Sequence, residues 1–324
     1  MKILVVGAGS IGKRHATNAA ALGHETGIFD LNPQAAQVSN ITTFSSLSNA
    51  LDWKPDGAVI ATPHKTHIDM ARQVTTAGIP VLIEKPISHT LDGVDEFLSS
   101  SQKPVYVVCN MRFHPAIKAL HENISAIGKI HYARAQYGNY LPNMRPDADY
   151  KKLYCAHKNE GGGVILDAIH EIDYLSWLLG AAQSVSTEAD KRSDLEIDVE
   201  DYAALSLRHE TGIRTEIHLD YLQQCKRRGC EIAGSEGTLI WESTGKTPED
   251  CSVRLYSNGK WREVYKEPAL DASFMYKDMM NAFIEEIVKP GSHPELLRGT
   301  EAIIALRVAM AAHESALTGK RINL

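Results

Sequence analysis

Lys2-Ile3-Leu4-Val5-Val6-Gly7-Ala8-Gly9-Ser10-Ile11-Gly12 is the stretch on which the fold turns. An unalternated Val/Ile/Leu run reads as a strand buried on both faces, as in a parallel sheet. It runs straight into Gly7-x-Gly9-x-x-Gly12, and Ile11–Leu22 beyond it has helical spacing. In a strand–turn–helix the first glycine permits a tight turn, the second lets backbone approach a pyrophosphate, and the third lets helix pack on strand. Backbone N–H groups at the helix start, from Ser10 and Ile11 onward, then point at the phosphates. Lys13 and Arg14 fall in that first turn, where cations oppose the helix dipole unless an anion is near.

Asp30, eighteen residues past Gly12, ends the next apolar run, Gly27-Ile28-Phe29-Asp30. An acid there accepts hydrogen bonds from an adenosine ribose, which favours NAD over NADP. A 2′-phosphate would meet the carboxylate, and Leu31 and Asn32 offer no compensating cation. Alternatively, Asp30 caps a segment Pro33–Val38.

Outward from this stretch, short apolar runs alternate with helical spacing as far as Asn110. Strands are predicted at Ile3–Val6, Thr26–Phe29, Ala58–Ala61, Val81–Ile83 and Val105–Val108, with helices at Ile11–Leu22, Thr66–Ala77 and Leu91–Ser100. This is the texture of right-handed βαβ units in a doubly wound α/β Rossmann domain. After Pro115 a helix, Ala116–Ile124, precedes alternating segments: Lys129–Gly138, Tyr202–Arg208, Gly212–Tyr221 and Cys230–Ala233. Alternation implies one solvated face, so an α+β domain with a large, mostly antiparallel open sheet is expected. Helices at Phe274–Lys289 and Thr300–Leu317 close the chain. The expected division is a dinucleotide domain over 1–113 and a substrate and oligomerisation domain over 114–324, consistent with 324 residues being too many for one simple core. An apolar free face on the second sheet would suit a homodimer or homotetramer.

Net charge is −6 with no basic block, which argues against nucleic acid as a partner. No apolar run reaches the roughly 18 residues that span a membrane, and the first apolar run meets glycine too soon for a signal-peptide core. A cytoplasmic protein with a small-molecule partner is expected. Five cysteines without CxxC pairing read as reduced thiols, neither a disulfide framework nor a zinc site.

Ala61-Thr62-Pro63-His64-Lys65-Thr66-His67 follows the predicted strand Ala58–Ala61, and Glu84-Lys85-Pro86 follows Val81–Ile83. With Asn110-Met111-Arg112-Phe113-His114-Pro115 and Gly161-Gly162-Gly163-Val164-Ile165-Leu166-Asp167-Ala168-Ile169-His170, they make the chain closely resemble, end to end, the glucose-fructose oxidoreductase/inositol dehydrogenase (GFO/IDH/MocA) family. The resemblance implies that Lys85 hydrogen-bonds the reacting oxygen beside the nicotinamide, and that Asp167 and His170 complete the acid/base set. It also implies cofactor contacts from Thr62, Pro63, Glu84 and Asn110, and a substrate contact from Arg112. Many members space the acid and histidine by four residues; here they are three apart. That spacing, with Asn139-Tyr140-Leu141-Pro142 and Arg227-Arg228-Gly229-Cys230, is similar to members found with surface-sugar (nonulosonic acid, nucleotide-sugar) biosynthesis.

Taken alone, the residues support similar chemistry. Removing hydride from a secondary alcohol requires a group that takes the hydroxyl proton. Lys85, at the carboxyl end of a parallel strand, would face the ligand crevice and stabilise an alkoxide; its bland reading is a surface lysine beside a proline. His170 opens an amphipathic segment, His170–Leu179, with Asp167 and Asp173 at i−3 and i+3 to orient it; its bland reading is a packed polar residue. His64 and His67 either touch the cofactor or cap Thr66–Ala77. Tyr140 and Tyr154, within the polar stretch Gln136–Gly163, either contact a polyhydroxylated substrate or belong to an oligomer arm. No HxxxH or HExxH pair suggests a metal. Alternatives in other classes are a redox-neutral enzyme with tightly held NAD, of glycosidase or epimerase type, and a non-catalytic NAD-binding regulator.

Overall fold

The computed structural model describes every residue except Pro33, Lys246 and Thr247. The chain divides into two compact units: Met1–Phe113 with Ser273–Ile303, and His114–Ala272 with Ile304–Leu324.

Unit 1 begins with β1 (Lys2–Val6), α1 (Ser10–Ala21), β2 (Glu25–Phe29), β3 (Thr42–Phe44), α2 (Leu47–Asp52) and β4 (Gly57–Ile60). It continues with α3 (His67–Thr76), β5 (Val81–Ile83), α4 (Val94–Ser100) and β6 (Val105–Val107). All six strands are parallel, in the order β3-β2-β1-β4-β5-β6. The order reverses at β1, which pairs with β2 on one side and β4 on the other. A doubly wound sheet binds its ligand at the carboxyl ends of the strands beside that reversal. Ile3, Leu4, Val59, Ile60, Leu82 and Ile83 are wholly buried, which explains why the strands read as continuous apolar runs.

Unit 2 contains α5 (Pro115–Asn123), β7 (Ile130–Gly138), α6 (Leu141–Met144), α7 (Val164–Asp167), α8 (Ile169–Leu179) and β8 (Ala182–Asp190). Then follow β9 (Tyr202–His209), β10 (Arg214–Asp220), β11 (Arg227–Gly234), β12 (Gly237–Thr244), β13 (Glu249–Ser257) and β14 (Lys260–Leu270). The last elements of the chain are α9 (Phe274–Val288), α10 (Gly299–Thr318) and β15 (Ile322–Asn323). The nine-stranded sheet has the order β14-β13-β12-β11-β7-β10-β9-β8-β15, antiparallel except for the parallel β7–β10 pair.

Two expectations are corrected. The segment Ser273–Ile303, with α9, belongs to the first unit, so the second domain does not run unbroken to the end of the chain. Phe283 and Ile287 of α9 lie against Gly57 at the start of β4, and Tyr276 meets His15 of α1 edge-on. Apolar helix spacing reports that a face is buried but not which unit buries it. The second correction concerns the large sheet, where one face carries Arg134, Gln136, Glu216, His218, Glu231 and Glu242 around a depression of about 710 Å³. That face is mixed, since Tyr132, Tyr256 and Trp261 stand exposed on it beside these charged residues.

Candidate active site

The nucleotide end of unit 1 is built from backbone. Gly7 has φ +104°, and a Cβ on Gly12 would stand 2.0 Å from the Gly7 carbonyl oxygen, so helix and turn close up only without one. A Cβ on Gly9 would meet nothing within 4 Å. Gly9 is the N-cap of α1, no side chain caps it, and no acid lies in the first turn. Open space beside the uncapped N–H groups of Ser10 and Ile11 fits a pyrophosphate. Asp30 accepts from the Ala8 N–H at 2.6 Å and from the Asn32 N–H at 2.8 Å. It thereby braces the glycine turn, and a carboxylate with about four lone-pair sites keeps acceptor capacity for a ribose diol. The Asn32 side chain accepts from the Gln34 N–H; in the alternative cap, Pro33 lies outside the described residues.

Beyond β5, Glu84 is buried and bonded to His15 Nε2 at 2.7 Å, while its other oxygen accepts the Lys85 N–H at 3.1 Å. Burial pushes the Glu84 carboxyl up, but the His15 hydrogen bond and charge, with the charge of Lys85, hold it below the usual carboxylate range. His67 is completely buried, its Nδ1 2.9 Å from the Pro86 carbonyl oxygen and its Nε2 2.8 Å from that of Thr62. Both ring nitrogens therefore lie against backbone carbonyls. The His64 ring lies 5.4 Å from that of His67. Pro63 precedes the 3₁₀ turn His64–Thr66, and the Thr62 hydroxyl accepts from that of Thr66. Asn110 and Arg112 are buried in the 3₁₀ turn Asn110–Phe113, with Arg112 3.7 Å from Glu301. Asn110 Oδ1 is buried with no hydrogen-bond partner among the described residues, an acceptor suited to a ligand donor.

In unit 2, the Gly163 N–H donates to the Cys155 carbonyl, and Ile165 N–H donates to the Glu200 carboxylate at 3.1 Å, fixing the start of α7. Asp167 ends α7 and accepts the Tyr154 hydroxyl at 2.6 Å. His170 is buried in the first turn of α8. The i−3 argument needs correction here, because the helix breaks at Ala168 and Asp167 and His170 lie on separate helices. Asp173 is buried within α8. Tyr140, half-buried, caps α6.

Several neighbours were not anticipated. Glu171, fully buried, takes a bidentate pair from Arg228 of β11, Nε–Oε1 2.6 Å and Nη2–Oε2 2.9 Å. The guanidinium lies 5.1 Å from the centre of the Tyr137 ring. Burial and then the Asp167 charge push the phenols of Tyr137, Tyr154 and Tyr221 up, so each stays a neutral hydroxyl. One signal was available for His15: with Gly12, Ala16 and Ala19 it shares the buried face of α1, and a histidine on such a face needs a partner. Among the described residues no group of three or more His, Cys, Asp or Glu is arranged to hold a metal, and no helix is long and apolar enough to cross a membrane.

Residues 1–109 match the oxidoreductase family with an NAD-binding Rossmann fold, and residues 117–240 match the GFO/IDH/MocA C-terminal domain. Over 277 residues the chain is 26% identical to the 1,5-anhydro-D-fructose reductase of Ensifer adhaerens, covering 83% of this chain and 80% of that protein. A UDP-N-acetylglucosamine 3-dehydrogenase of Acidithiobacillus ferrooxidans is 30% identical over 58% of this chain and 57% of its own. In structure, the chain is similar to the WlbA dehydrogenase from Bordetella pertussis in complex with NADH and UDP-GlcNAcA, with a TM-score of 0.80 at 24% identity, covering 100% of this chain and 98% of that one. Taken with the glycine turn and the Glu84-Lys85-Pro86 turn, these matches show an NAD-dependent oxidoreductase that belongs to the GFO/IDH/MocA family.

Proposed function

We propose that the enzyme interconverts a secondary alcohol and a ketone on a sugar, nucleotide-sugar or cyclitol, with Lys85 and His170 sharing proton transfer. The observation that carries this reading is Lys85 at the carboxyl end of β5, which pairs with β4 next to the reversal in strand order, with its backbone N–H bonded to Glu84. NAD, when bound, supplies or accepts the hydride. Gly7, Gly9, Gly12, Ser10 and Ile11 would hold its pyrophosphate and Asp30 its ribose, with Asn110 adding a buried acceptor. The Lys85 ammonium stabilises the developing alkoxide, and neutral His170 takes the proton that an ammonium cannot. Asp167, ringed by phenols, and Tyr154 suit a polyhydroxylated ring, as do the relatives named for sugars. We also assign the protein to the cytoplasm, as a homo-oligomer assembled through the second sheet. Exposed Tyr132, Tyr256 and Trp261 on its open face would supply the contact area, and light scattering checks the mass.

The test is a panel of sugars, nucleotide-sugars and cyclitols with NAD, followed at the nicotinamide absorbance. Lys85→Met is expected to keep NADH affinity within a few-fold and to lower kcat by roughly 10²–10⁴. Substrate conversion without net NADH would replace this reading with a redox-neutral one, and no conversion at all with a regulator. Wild-type turnover in Lys85→Met would remove the lysine from the mechanism. His170→Asn is expected to lose the acidic limb of kcat/KM together with kcat; an unchanged limb with only KM raised would reject the base role.

A further inference from the structure

The ladder between β4 and β5 ends at Ile60↔Ile83, followed by one last rung, Glu84 N–H to Ile60 carbonyl at 2.9 Å. Past that rung each strand meets a proline, Pro63 and Pro86, and proline has no N–H to extend the pairing. The buried carbonyl of Pro86 needs a donor there, that of Thr62 is partly buried, and the His67 ring from α3 lies within hydrogen-bond distance of both. Upstream of Lys85, His15 from α1 holds Glu84, whose second oxygen takes the Lys85 N–H. The residues on either side of Lys85 are thus each fixed by a buried histidine from a different helix.

We propose that His15 and His67 are positioning residues that act through Lys85, clamping the backbone on its two sides so that its ammonium is presented in one place. The inference rests on the reading of Lys85 given above. Histidine suits this work because its rigid ring carries nitrogens on both sides, so one side chain can reach two carbonyls. A neutral ring has one N–H and only the imidazolium has two. Burial pushes the His67 pKa down, the two carbonyls and the Glu84 charge pull it up, and His89 pushes it down again. The Nδ1–H tautomer donates to the Pro86 carbonyl, and that is the contact that holds the chain after Lys85. Asparagine at 67 is too short to reach both.

The first readout needs no substrate. Lys85 and the exposed Lys103 of the same unit are acetylated with acetic anhydride across a pH series, and their rates are compared by peptide mass spectrometry. In His67→Asn and His15→Leu, Lys85 is expected to react roughly threefold faster or more relative to Lys103, with an altered pH profile, because local opening frees the amine. His15→Gln, which can still donate to Glu84, is expected to restore the wild-type ratio. An unchanged Lys85/Lys103 ratio in both clamp variants overturns the proposal. So does a parallel rise at both lysines, since that reports a loosened fold.

The second readout is a double-mutant cycle on the panel substrate turned over fastest. His67→Asn is expected to lower kcat about 10–100-fold with NADH affinity unchanged, as a small misplacement of a reacting group does. In a Lys85→Met background it should add almost nothing. If Lys85→Met keeps wild-type turnover, the reading of the lysine fails; if Lys85→Met is impaired while His67→Asn is not, the clamp fails.

Discussion

Unit 1 builds its candidate site from backbone, and unit 2 builds its own from side chains. In the first, a glycine turn, an uncapped helix start and the carboxyl ends of parallel strands present N–H groups and one lysine, and the charged partners only brace them. In the second, Asp167 is dressed by Tyr154 from thirteen residues upstream, and Glu171 by Arg228 from fifty-seven residues downstream. A backbone site depends on a few positions that cannot carry a side chain. An assembled site depends on pairs, and each pair fails in its own way when one member is removed.

The largest expected effect tests that dependence. Arg228→Met leaves the Glu171 carboxylate buried without its bidentate partner, and breaking a buried pair from one side costs about 3–5 kcal/mol. Denaturant unfolding should show that loss, while Arg228→Met with Glu171→Leu should recover most of it, since two well-packed apolar side chains replace such a pair at little cost. A single variant as stable as wild type would mean that unit 2 does not depend on this pair.

A smaller effect is expected at Glu249, at the start of β13. Burial pushes its carboxyl up, but His114 at 3.9 Å, Lys226 and the Ser243 hydroxyl hold it down to about 2. Because the folded value lies below the unfolded one, this stabilisation is present above the ordinary carboxylate pKa. It is lost as pH falls through about 4.5 toward 2, and is worth at most about 3 kcal/mol. Glu249→Gln should flatten the acid limb of a stability-against-pH curve in that window. An acid limb identical to wild type would place the sensitive carboxylate elsewhere.

The same contrast explains what was legible in the sequence. The parallel strands, the glycine turn and Lys85 at a strand end were readable because local composition and spacing encode them. The three-residue β3, Thr42–Phe44, was not, since Thr42 and Thr43 are exposed and the strand has no apolar run. Strands β12 to β14 escaped because their alternation is diluted by charged residues on the open face, such as Glu242, Arg254 and Glu263. Glycine-rich spacing announced the approach to Asp167 and His170, but not the break at Ala168 that puts them on separate helices. Arg228 read as one more polar residue in an alternating strand, because nothing local tells a solvated arginine from one buried against a glutamate far along the chain.

Two tyrosines beside Asp167 give the smallest and sharpest contrast. The Tyr154 hydroxyl donates to Asp167 at 2.6 Å, whereas the Tyr221 hydroxyl is fully buried with no hydrogen-bond partner among the described residues. A hydrogen bond to a charged group contributes about 1.5–3 kcal/mol, and an unpaired buried hydroxyl carries a desolvation cost that its removal relieves. Tyr154→Phe should therefore destabilise by about 1–3 kcal/mol, while Tyr221→Phe should be neutral or stabilising by up to about 1 kcal/mol. Thermal unfolding of the two variants without substrate measures the difference. If the buried hydroxyl of Tyr221 serves a substrate hydroxyl, the same Tyr221→Phe variant should show a raised KM, trading stability against binding. Equal losses of stability in the two variants would mean that the Tyr221 hydroxyl is paired after all, and that Asp167 is held by both phenols.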